Sequence, residues 1–246
     1  MTTKLPSNRR VALITGAGSL IGTAISEKLA SEGYHLILHY QHAKANVSHL
    51  AKRLRSQGIS TAVFHADFQS VPFDCTSLIQ ILKQWGQLNV LINNASVFLK
   101  TPCSSFEAQT WETIFKINVW APYFLIHKTL KFLKRGSGCI INLTDIYADH
   151  PLLKDHVAYC ASKAALKNIT QSLAVTLGPH IRVNAVAPGG ISFPSTYTKT
   201  QKKALMEKSA LKRAGTANEI AQAVFSLLSN SFITGQTLRV DGGRLI

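Results

Sequence analysis

Acidic residues are scarce in this 246-residue sequence, which has 12 Asp and Glu against 27 Lys and Arg. The formal net charge is +15, and the basic residues are spread along the chain instead of forming a tail. Such a surface attracts anionic ligands and speeds their encounter. Nucleic acid and a phosphorylated cofactor are the two ligand classes that this charge favours, and a charge that only tunes solubility is the alternative.

Cysteine and long apolar runs are also scarce. The four cysteines, at positions 75, 103, 139 and 160, have no CxxC or other metal-ligand spacing, which favours a reduced, cytoplasmic protein without a metal site. No uncharged run reaches the roughly 20 residues that cross a membrane, and the apolar core of a signal peptide does not follow the polar, basic residues 1–10. We therefore expect neither a membrane span nor a signal peptide.

Short apolar segments alternate with helical patterns along the chain, without repeats or low-complexity tracts. The predicted strands cover residues 10–15, 35–40, 61–66, 88–92, 139–143, 181–187 and 237–240. The predicted helices cover residues 20–32, 46–57, 78–85, 111–133, 156–177 and 218–228. The polar stretch 192–203 has neither pattern, so we expect a mobile substrate loop near 192–210.

The alternation of strands and helices predicts the fold class. Strands that alternate with helices pair in parallel through right-handed crossovers, and short apolar strands fit a sheet that is covered on both faces. We therefore expect residues 1–246 to form a single doubly wound, Rossmann-type α/β domain. Ligands bind such sheets at the carboxyl ends of the strands.

A glycine-rich turn joins the first predicted strand to the first helix. Gly16 and Gly18 follow the strand, and Leu20 and Ile21 open the helix. Glycines let the backbone turn tightly and approach a pyrophosphate, and the helix N-terminus adds free N–H groups and a positive dipole. The order of strand, turn and helix therefore predicts a dinucleotide cofactor.

The end of the second strand indicates which dinucleotide binds. An acidic residue there would hold the ribose 2′-hydroxyl of NAD, but His39, Tyr40, His42 and Lys44 occupy this region. Because His42 and Lys44 can attract a 2′-phosphate, we expect NADPH, and a solvated basic loop is the alternative. Asp67, after the third strand, is placed to reach the adenine region.

Tyr159 and Lys163 lie one helical turn apart in a segment of small residues after the fifth strand. An ammonium beside a phenol favours the tyrosinate, so we expect the pKa of Tyr159 to fall from about 10 toward the working pH, which suits a general acid. Tyr40 and Lys44 have the same spacing in a loop, where we assign no proton chemistry. Asn118 is an amide inside an apolar helical stretch and needs hydrogen-bond partners.

The glycine turn, Asn118, the Tyr159–Lys163 pair and residues 93–95, 188–189 and 241–243 occur in the order typical of one family. Over essentially its whole length the chain resembles the classical short-chain dehydrogenase/reductase family. The resemblance implies that Tyr159 exchanges a proton with the substrate. It implies that Lys163 binds the nicotinamide ribose and lowers the tyrosine pKa, and that Asn118 holds a water of the proton relay. It also implies a homotetramer, with the helices at 111–133 and 156–177 in the interface.

The same resemblance implies further cofactor contacts at the ends of later strands. These residues are Asn94, Ala95 and Ser96 after the fourth strand, and Pro188, Gly189 and Ile191 after the sixth. Tyr159 and Lys163 also belong to the expected cofactor site.

Three departures from the family pattern point to one branch of it. Leu20 stands where the family usually has glycine, Phe193 where it usually has threonine, and Asp145 where it usually has the catalytic serine. Together they are similar to the pteridine reductase and dihydromonapterin reductase branch, in which an aspartate replaces the serine. The resemblance implies that Asp145, Tyr159, Lys163 and Asn118 form the catalytic group.

The branch also implies a substrate site. Phe98 would stack on a flat pterin ring, and Ser96 would bind the ring or a cofactor phosphate. Asp145 would accept from ring N–H groups or relay a proton with Tyr159. Burial at the strand end raises the pKa of Asp145 and Lys163 lowers it, and the sequence leaves the balance open.

The resulting prediction is an NADPH-dependent reductase of a pterin of the dihydromonapterin, dihydrobiopterin or dihydrofolate type. The alternative is a short-chain carbonyl or 3-oxoacyl-thioester reductase, although an ionised Asp145 could not donate to a carbonyl as serine does. A non-catalytic nucleotide or nucleic-acid binder has only the charge in its favour, because no aromatic–basic pattern accompanies it. We expect a small-molecule substrate and neither nucleic acid nor membrane as partner.

Overall fold

A computed structural model describes residues 10–191 and 198–246. Within them, strands of four to seven residues form one sheet, and every neighbouring pair of strands is parallel. The strands are β1 (Val11–Ile14), β2 (His35–Tyr40), β3 (Thr61–His65), β4 (Val90–Asn93), β5 (Cys139–Leu143), β6 (Arg182–Pro188) and β7 (Thr237–Val240). Their order in the sheet is β3-β2-β1-β4-β5-β6-β7. The chain adds β2 and β3 on one side of β1 and then crosses back to add β4 to β7 on the other side.

Helices cover both faces of this sheet. The α-helices are α1 (Leu20–Ser31), α2 (Lys44–Ser56), α3 (Thr76–Trp85), α4 (Ala108–Phe115), α5 (Ala121–Arg135), α6 (Val157–Leu177), α7 (Lys199–Met206) and α8 (Ala217–Ser229). Successive residues of β1 face opposite sides, because Ala12 and Ile14 pack with α1, α2 and α8, whereas Val11 and Leu13 pack with α3 and α5. The doubly wound fold predicted from the sequence is therefore confirmed.

The long helix predicted at 111–133 is interrupted. It consists of α4, a wider π-helical segment (Lys116–Trp120) and α5. The physical reason is Pro122, which lacks the N–H that would bond the carbonyl of Asn118 in an α-helix. The backbone instead closes the longer bond from Ala121 N–H to the carbonyl of Lys116. Since π-helical segments occur often at functional sites, the position of Asn118 in this segment is consistent with its being a site residue.

The polar stretch predicted as a loop is partly helical. Residues 199–206 form α7, so the absence of secondary structure predicted for them is wrong. The sequence contains the reason, because Thr198 and Gln201 each accept a hydrogen bond from the other's backbone N–H (3.2 and 2.8 Å), which is a capping box. Residues 1–9 and 192–197, including Phe193, lie outside the described residues. That this segment covers the substrate stays a prediction.

The four thiols are free: Cys75, Cys139 and Cys160 are buried and Cys103 is exposed. Among the described helices, none combines the length and the apolar character that a membrane-spanning segment needs.

His39, on β2, joins the carboxyl ends of β1, β2 and β3 to one another. Its side chain is 2% exposed and lies parallel to the ring of Phe68, with 4.1 Å between centroids. Its Nδ1 accepts from the N–H of Gly16 (3.2 Å), so Nε2 carries the proton that is donated to the carbonyl of Ala66 (3.0 Å). Burial lowers the pKa of His39 from its ordinary 6.5 to about 4, which keeps the ring neutral.

We expect His39 to make the folded protein acid-sensitive. The unfolded chain binds a proton at His39 below its ordinary pKa of 6.5, whereas the folded protein binds it only near 4, so stability is lost as pH falls from about 6.5 to about 4. Between pH 7 and pH 5 this loss should be roughly 2 kcal/mol. Urea unfolding at the two pH values measures it.

The matched variants are His39→Asn and His180→Asn, since His180 is exposed. The first should be less stable at pH 7 and should lose less stability between pH 7 and pH 5 than the wild type. The second should behave as the wild type does. An equal pH dependence in all three proteins would refute the assignment.

Candidate active site

The glycine turn after β1 needs glycine for steric reasons. Gly16 has φ +61°, and a Cβ there would lie 3.0 Å from the Cα of Ala95. A Cβ on Gly22, one turn into α1, would lie 2.3 Å from the carbonyl oxygen of Gly16. The turn therefore presses against both its own helix and the end of β4.

Thr15 and Asn94 lock this turn to β4. The hydroxyl of Thr15 accepts from the N–H groups of Asn94 and Ala95, both at 2.9 Å. The side-chain amide of Asn94 donates to the carbonyls of Thr15 (2.8 Å) and Gly16 (3.1 Å). The sequence reasoning missed Thr15, although its position as the last residue before the turn could have revealed it.

A cavity of about 300 Å³ opens between the turn and the end of β2. The predicted cofactor residues that line it are Gly16, Gly18, His39, Tyr40, His42, Asn94, Ala95 and Ser96. Ser19 caps α1 by accepting from the N–H of Gly22 (3.1 Å), and Leu20 beside it is 61% exposed, with Ile21 half-buried. The cavity thus lies against a helix N-terminus, which suits a phosphate.

Two basic residues lie at or beside the far end of this cavity: His42 lines it, and Lys44 follows two residues later. Lys44 and His42 are exposed at the start of α2, which approaches the turn so closely that a Cβ on Gly18 would lie 2.8 Å from the Cβ of Ala43. Asp67 does not line the cavity: its Oδ1 accepts from the side chain of Gln41 at 2.6 Å. No carboxylate is found among the described residues that line the cavity.

The predicted catalytic side chains meet at the end of β5. The hydroxyl of Tyr159 donates to Oδ2 of Asp145 at 2.7 Å, across a separation of 14 residues. The other carboxylate oxygen accepts from the N–H of Tyr147 at 2.9 Å, where Asp145 caps a short 3₁₀ turn, Ile146–Ala148. Tyr159 is buried and Asp145 is half-buried, so the hydrogen bond between them lies in a poorly solvated place.

Lys163 is buried one turn after Tyr159. Its ammonium donates to the carbonyl of Leu143, the last residue of β5, at 2.9 Å, and lies 5.7 Å from the centre of the Tyr159 ring. Burial lowers the pKa of Lys163 to about 8, and the charge of Asp145 opposes that shift.

The lowered pKa predicted for Tyr159 is wrong. Burial raises the pKa of its phenol well above 10, and the charge of Asp145 and the hydrogen bond to it act in the same direction. The ammonium of Lys163 donates to the carbonyl of Leu143 and not to the phenol. For Asp145 itself burial prevails and raises the pKa, against the opposing effects of Tyr147, Tyr159, Lys163 and Arg244. Tyr159 therefore keeps its proton at neutral pH.

Asn118 has all four of its hydrogen-bonding positions filled. Its Oδ1 accepts from the hydroxyl of Ser96 (3.0 Å) and the N–H of Val97 (2.9 Å). Its Nδ2 donates to the carbonyl of Val97 (3.1 Å) and the hydroxyl of Ser162 (3.0 Å). The side chain thus joins the segment after β4 to α6. Its role in a water relay stays a prediction.

Phe98 lies at the mouth of the site. Its ring is 52% exposed, meets the Tyr159 ring edge-on at 4.7 Å and stacks on His156 at 4.3 Å. Thr101 fixes this segment to the start of α6, because its N–H donates to the carbonyl of Asp155 (2.6 Å) and its hydroxyl accepts from the N–H of Ala158. His156 was not foreseen, and no pattern in the sequence marks it.

The remaining predicted cofactor residues lie at the end of β6. The N–H of Gly189 donates to the carbonyl of Val240 at 2.9 Å, and a Cβ at Gly189 would lie 2.6 Å from the Cβ of Asp241. Pro188 is buried and Ile191 half-buried. The structure therefore brings them to the carboxyl edge of the sheet, and their contact with a cofactor stays a prediction.

Comparison with known proteins identifies the family. Residues 16–244 match the family model described as Enoyl-(Acyl carrier protein) reductase. Pteridine reductase 1 of Leishmania tarentolae is 32% identical, with 95% of each chain covered. The 3-oxoacyl-[acyl-carrier-protein] reductase FabG of Staphylococcus epidermidis is also 32% identical, over 94% of this chain and 97% of the relative.

A solved structure agrees in fold. FolM alternative dihydrofolate reductase 1 from Brucella suis, in complex with NADP, superposes with a TM-score of 0.87 at 30% identity, covering 98% of this chain and 96% of that one. These matches cover nearly the whole chain, including the glycine turn, the Tyr159–Lys163 pair and the parallel sheet. The chain belongs to the short-chain dehydrogenase/reductase family of oxidoreductases, which use a nicotinamide cofactor.

Proposed function

We propose that this chain reduces a pterin ring with NADPH. The observation that carries the proposal is the 2.7 Å hydrogen bond between Tyr159 and Asp145 beside the half-exposed ring of Phe98. A carboxyl group, a phenol and an aromatic face together match a flat substrate that is rich in N–H groups and ring nitrogens.

The residues around the glycine turn fit a dinucleotide. The backbone at Gly16 and Gly18 and the N-terminus of α1 would hold the phosphates. Glycine is needed at both positions because a Cβ would crowd Ala95 at the first and Ala43 at the second. His42 and Lys44 would favour the 2′-phosphate of NADPH, and no carboxylate of the described cavity lining opposes it. When bound, the nicotinamide supplies the hydride. The NADP complex of FolM supports this cofactor.

Phe98 and Ser96 would hold the substrate ring. The exposed part of Phe98 offers a stacking surface, and His156 behind it fixes the ring in place. The hydroxyl of Ser96 donates to Asn118, so its oxygen can still accept from a ring N–H or contact a cofactor phosphate.

Asp145 and Tyr159 would deliver the proton. Tyr159 holds its proton at neutral pH, and the raised pKa of Asp145 brings the carboxyl closer to the range in which it exchanges one. As an ion Asp145 accepts from ring N–H groups. The proton that a ring nitrogen gains would pass from Tyr159 or from the protonated Asp145 carboxyl group, and solvent would replace it. Lys163 supplies the positive charge that offsets the carboxylate in this buried place.

A short-chain carbonyl or 3-oxoacyl-thioester reductase is the second candidate. FabG from Staphylococcus epidermidis is as similar to this chain as pteridine reductase 1 is, at 32% identity. Tyr159 and Lys163 suit a carbonyl equally well. Asp145 could assist a carbonyl only in its protonated form, since the ion has no hydrogen to donate.

We also propose a homotetramer in a reducing, cytoplasmic compartment. Exposed aromatic side chains lie before and on the α4–α5 region, including Phe106, Trp120 and Tyr123, and a subunit interface would cover them. The free thiols fit such a compartment.

Replacing Asp145 by serine should separate the two candidate activities. We expect kcat/KM for dihydromonapterin, dihydrobiopterin or dihydrofolate to fall by about 100-fold or more, which is the usual contribution of a proton-transfer group. Turnover of an acetoacetyl thioester should not fall, because a serine hydroxyl can donate to a carbonyl. NADPH consumption measures both.

Asp149→Ser is the matched control, since Asp149 lies in the same loop and pairs with Lys167. It should retain wild-type activity. Wild-type protein that reduces the thioester and none of the three pterins would overturn the pterin assignment.

The basic start of α2 should decide between the two nicotinamide dinucleotides. We expect Lys44→Ala combined with His42→Ala to raise the Kd of NADPH about tenfold, equivalent to about 1.4 kcal/mol, with little change for NADH. Calorimetric titration measures both constants. Lys52→Ala, an exposed lysine two turns further along α2, should change neither. Equal weakening of NADPH and NADH would contradict the role of these cations.

Phe98 should contribute to substrate binding by stacking. Phe98→Ala should raise KM for the pterin by about 2- to 12-fold, since an aromatic pair contributes about 0.5–1.5 kcal/mol. Steady-state kinetics with NADPH in excess measures the change. Phe232→Ala, which removes a ring that is 99% exposed and lies outside the proposed interface, should leave KM unaltered. If Phe98→Ala lowered only the thermal stability and left KM unchanged, Phe98 would be a packing residue.

A further inference from the structure

The C-terminal segment forms a rigid turn after β7. Oδ1 of Asp241 accepts from the N–H of Gly243 at 2.9 Å, and Oδ2 accepts from the N–H of Leu245 at 3.2 Å. Gly242 has φ +64° and Gly243 φ +73°, so the turn depends on both glycines. The carbonyls of these glycines accept from the N–H groups of residues 211 and 210. This turn gives Arg244, which lies between its anchored residues, a fixed position.

Arg244 reaches the catalytic group through Tyr147. Its guanidinium donates to the hydroxyl of Tyr147 at 2.9 Å and lies 5.8 Å from the centre of that ring. The backbone N–H of Tyr147 donates in turn to Oδ1 of Asp145 at 2.9 Å. Tyr147 is therefore held at one end by the C-terminal turn and at the other by the carboxylate that bonds Tyr159.

The charge of Arg244 is available to Asp145. Arg244 is half-buried, and no carboxylate of the described residues forms an ion pair with it. The groups that face Asp145 are Tyr159, Cys160 and Lys163 from α6, Tyr147 from the 3₁₀ turn and Arg244 from the C-terminal turn.

Two of these groups, Lys163 and Arg244, are cations, and their charges depend differently on pH. Burial lowers the pKa of Lys163 to about 8, so its charge weakens in the mildly alkaline range. An arginine stays charged throughout that range. Arg244 is thus the cation near Asp145 whose charge does not depend on pH.

We propose that Arg244 is a positioning residue of the active site, which holds Tyr147 against Asp145 and stabilises the Asp145 carboxylate as an ion. The inference deepens the proposed function, because it names what sets the proton affinity of the pair that would protonate the substrate. Its effect on Asp145 itself requires no substrate. The C-terminal turn thereby becomes part of the catalytic apparatus, although it lies nearly one hundred residues from Asp145 in the sequence.

The test is a direct titration of Asp145 in the full chain without substrate. Carbon-13 NMR of labelled aspartate carboxyl groups gives the titration midpoint, and the signal absent from Asp145→Asn identifies Asp145. We expect Arg244→Gln to raise the midpoint by about half a unit or more, because a neighbouring cation favours the carboxylate. Arg244→Lys, which retains a positive charge, should restore most of the shift.

Arg213→Gln is the control that removes the same charge elsewhere, since Arg213 pairs with Glu219. It should leave the Asp145 midpoint unchanged, and circular dichroism verifies that each variant is folded. Identical midpoints in the wild type and Arg244→Gln would overturn the proposal, as would an equal shift in Arg213→Gln. If pterins are turned over, the pH profile of kcat/KM in Arg244→Gln should move to higher pH in parallel. Absence of pterin turnover would refute the proposed substrate and leave the titration result standing.

Discussion

The hydrogen bond between Tyr159 and Asp145 is the constraint around which the site is built. A phenol donates to a carboxyl group in a place where burial disfavours charge on either of them. Such a pair is tolerable only with a cation nearby, and Lys163, fixed at the carbonyl of Leu143, supplies it.

Neutral polar side chains fix other parts of the site. His39 and Asn118 are buried polar side chains whose hydrogen bonds are all made inside the protein, so they set the shape of the site and leave little for a ligand. Groups such as Phe98, Lys44 and Leu20 at the start of α1 are exposed and therefore accessible to a ligand. Buried residues therefore fix the shape of the site, whereas exposed residues are free to contact a ligand. Both groups lie near the carboxyl ends of the strands.

The sequence was sufficient for what depends on local pattern. Strands at 35–40, 139–143 and 237–240 have the predicted bounds, because each is a short apolar run between clear breaks. It was insufficient for what depends on distant contacts. Lys163 was expected to act on the phenol, but whether its ammonium points to Tyr159 or to Leu143 is decided by how α6 packs on β5. The link from Arg244 to Tyr147 spans a separation of 97 residues and has no local pattern.

Sequence identity favours neither candidate substrate, since a pteridine reductase and a 3-oxoacyl reductase are both 32% identical to this chain. The distinction lies in the hydrogen-bonding needs of the two substrates. A carbonyl oxygen only accepts, so a hydroxyl that always carries a hydrogen suffices for it. A pterin ring presents N–H donors next to a nitrogen that must gain a proton, and it needs one group that can accept and then donate. A carboxyl group does both, since it accepts as an ion and donates once it is protonated, and the raised pKa of Asp145 narrows the free-energy gap between these two states. Asp145 therefore favours the pterin through its two protonation states, and not through its charge alone.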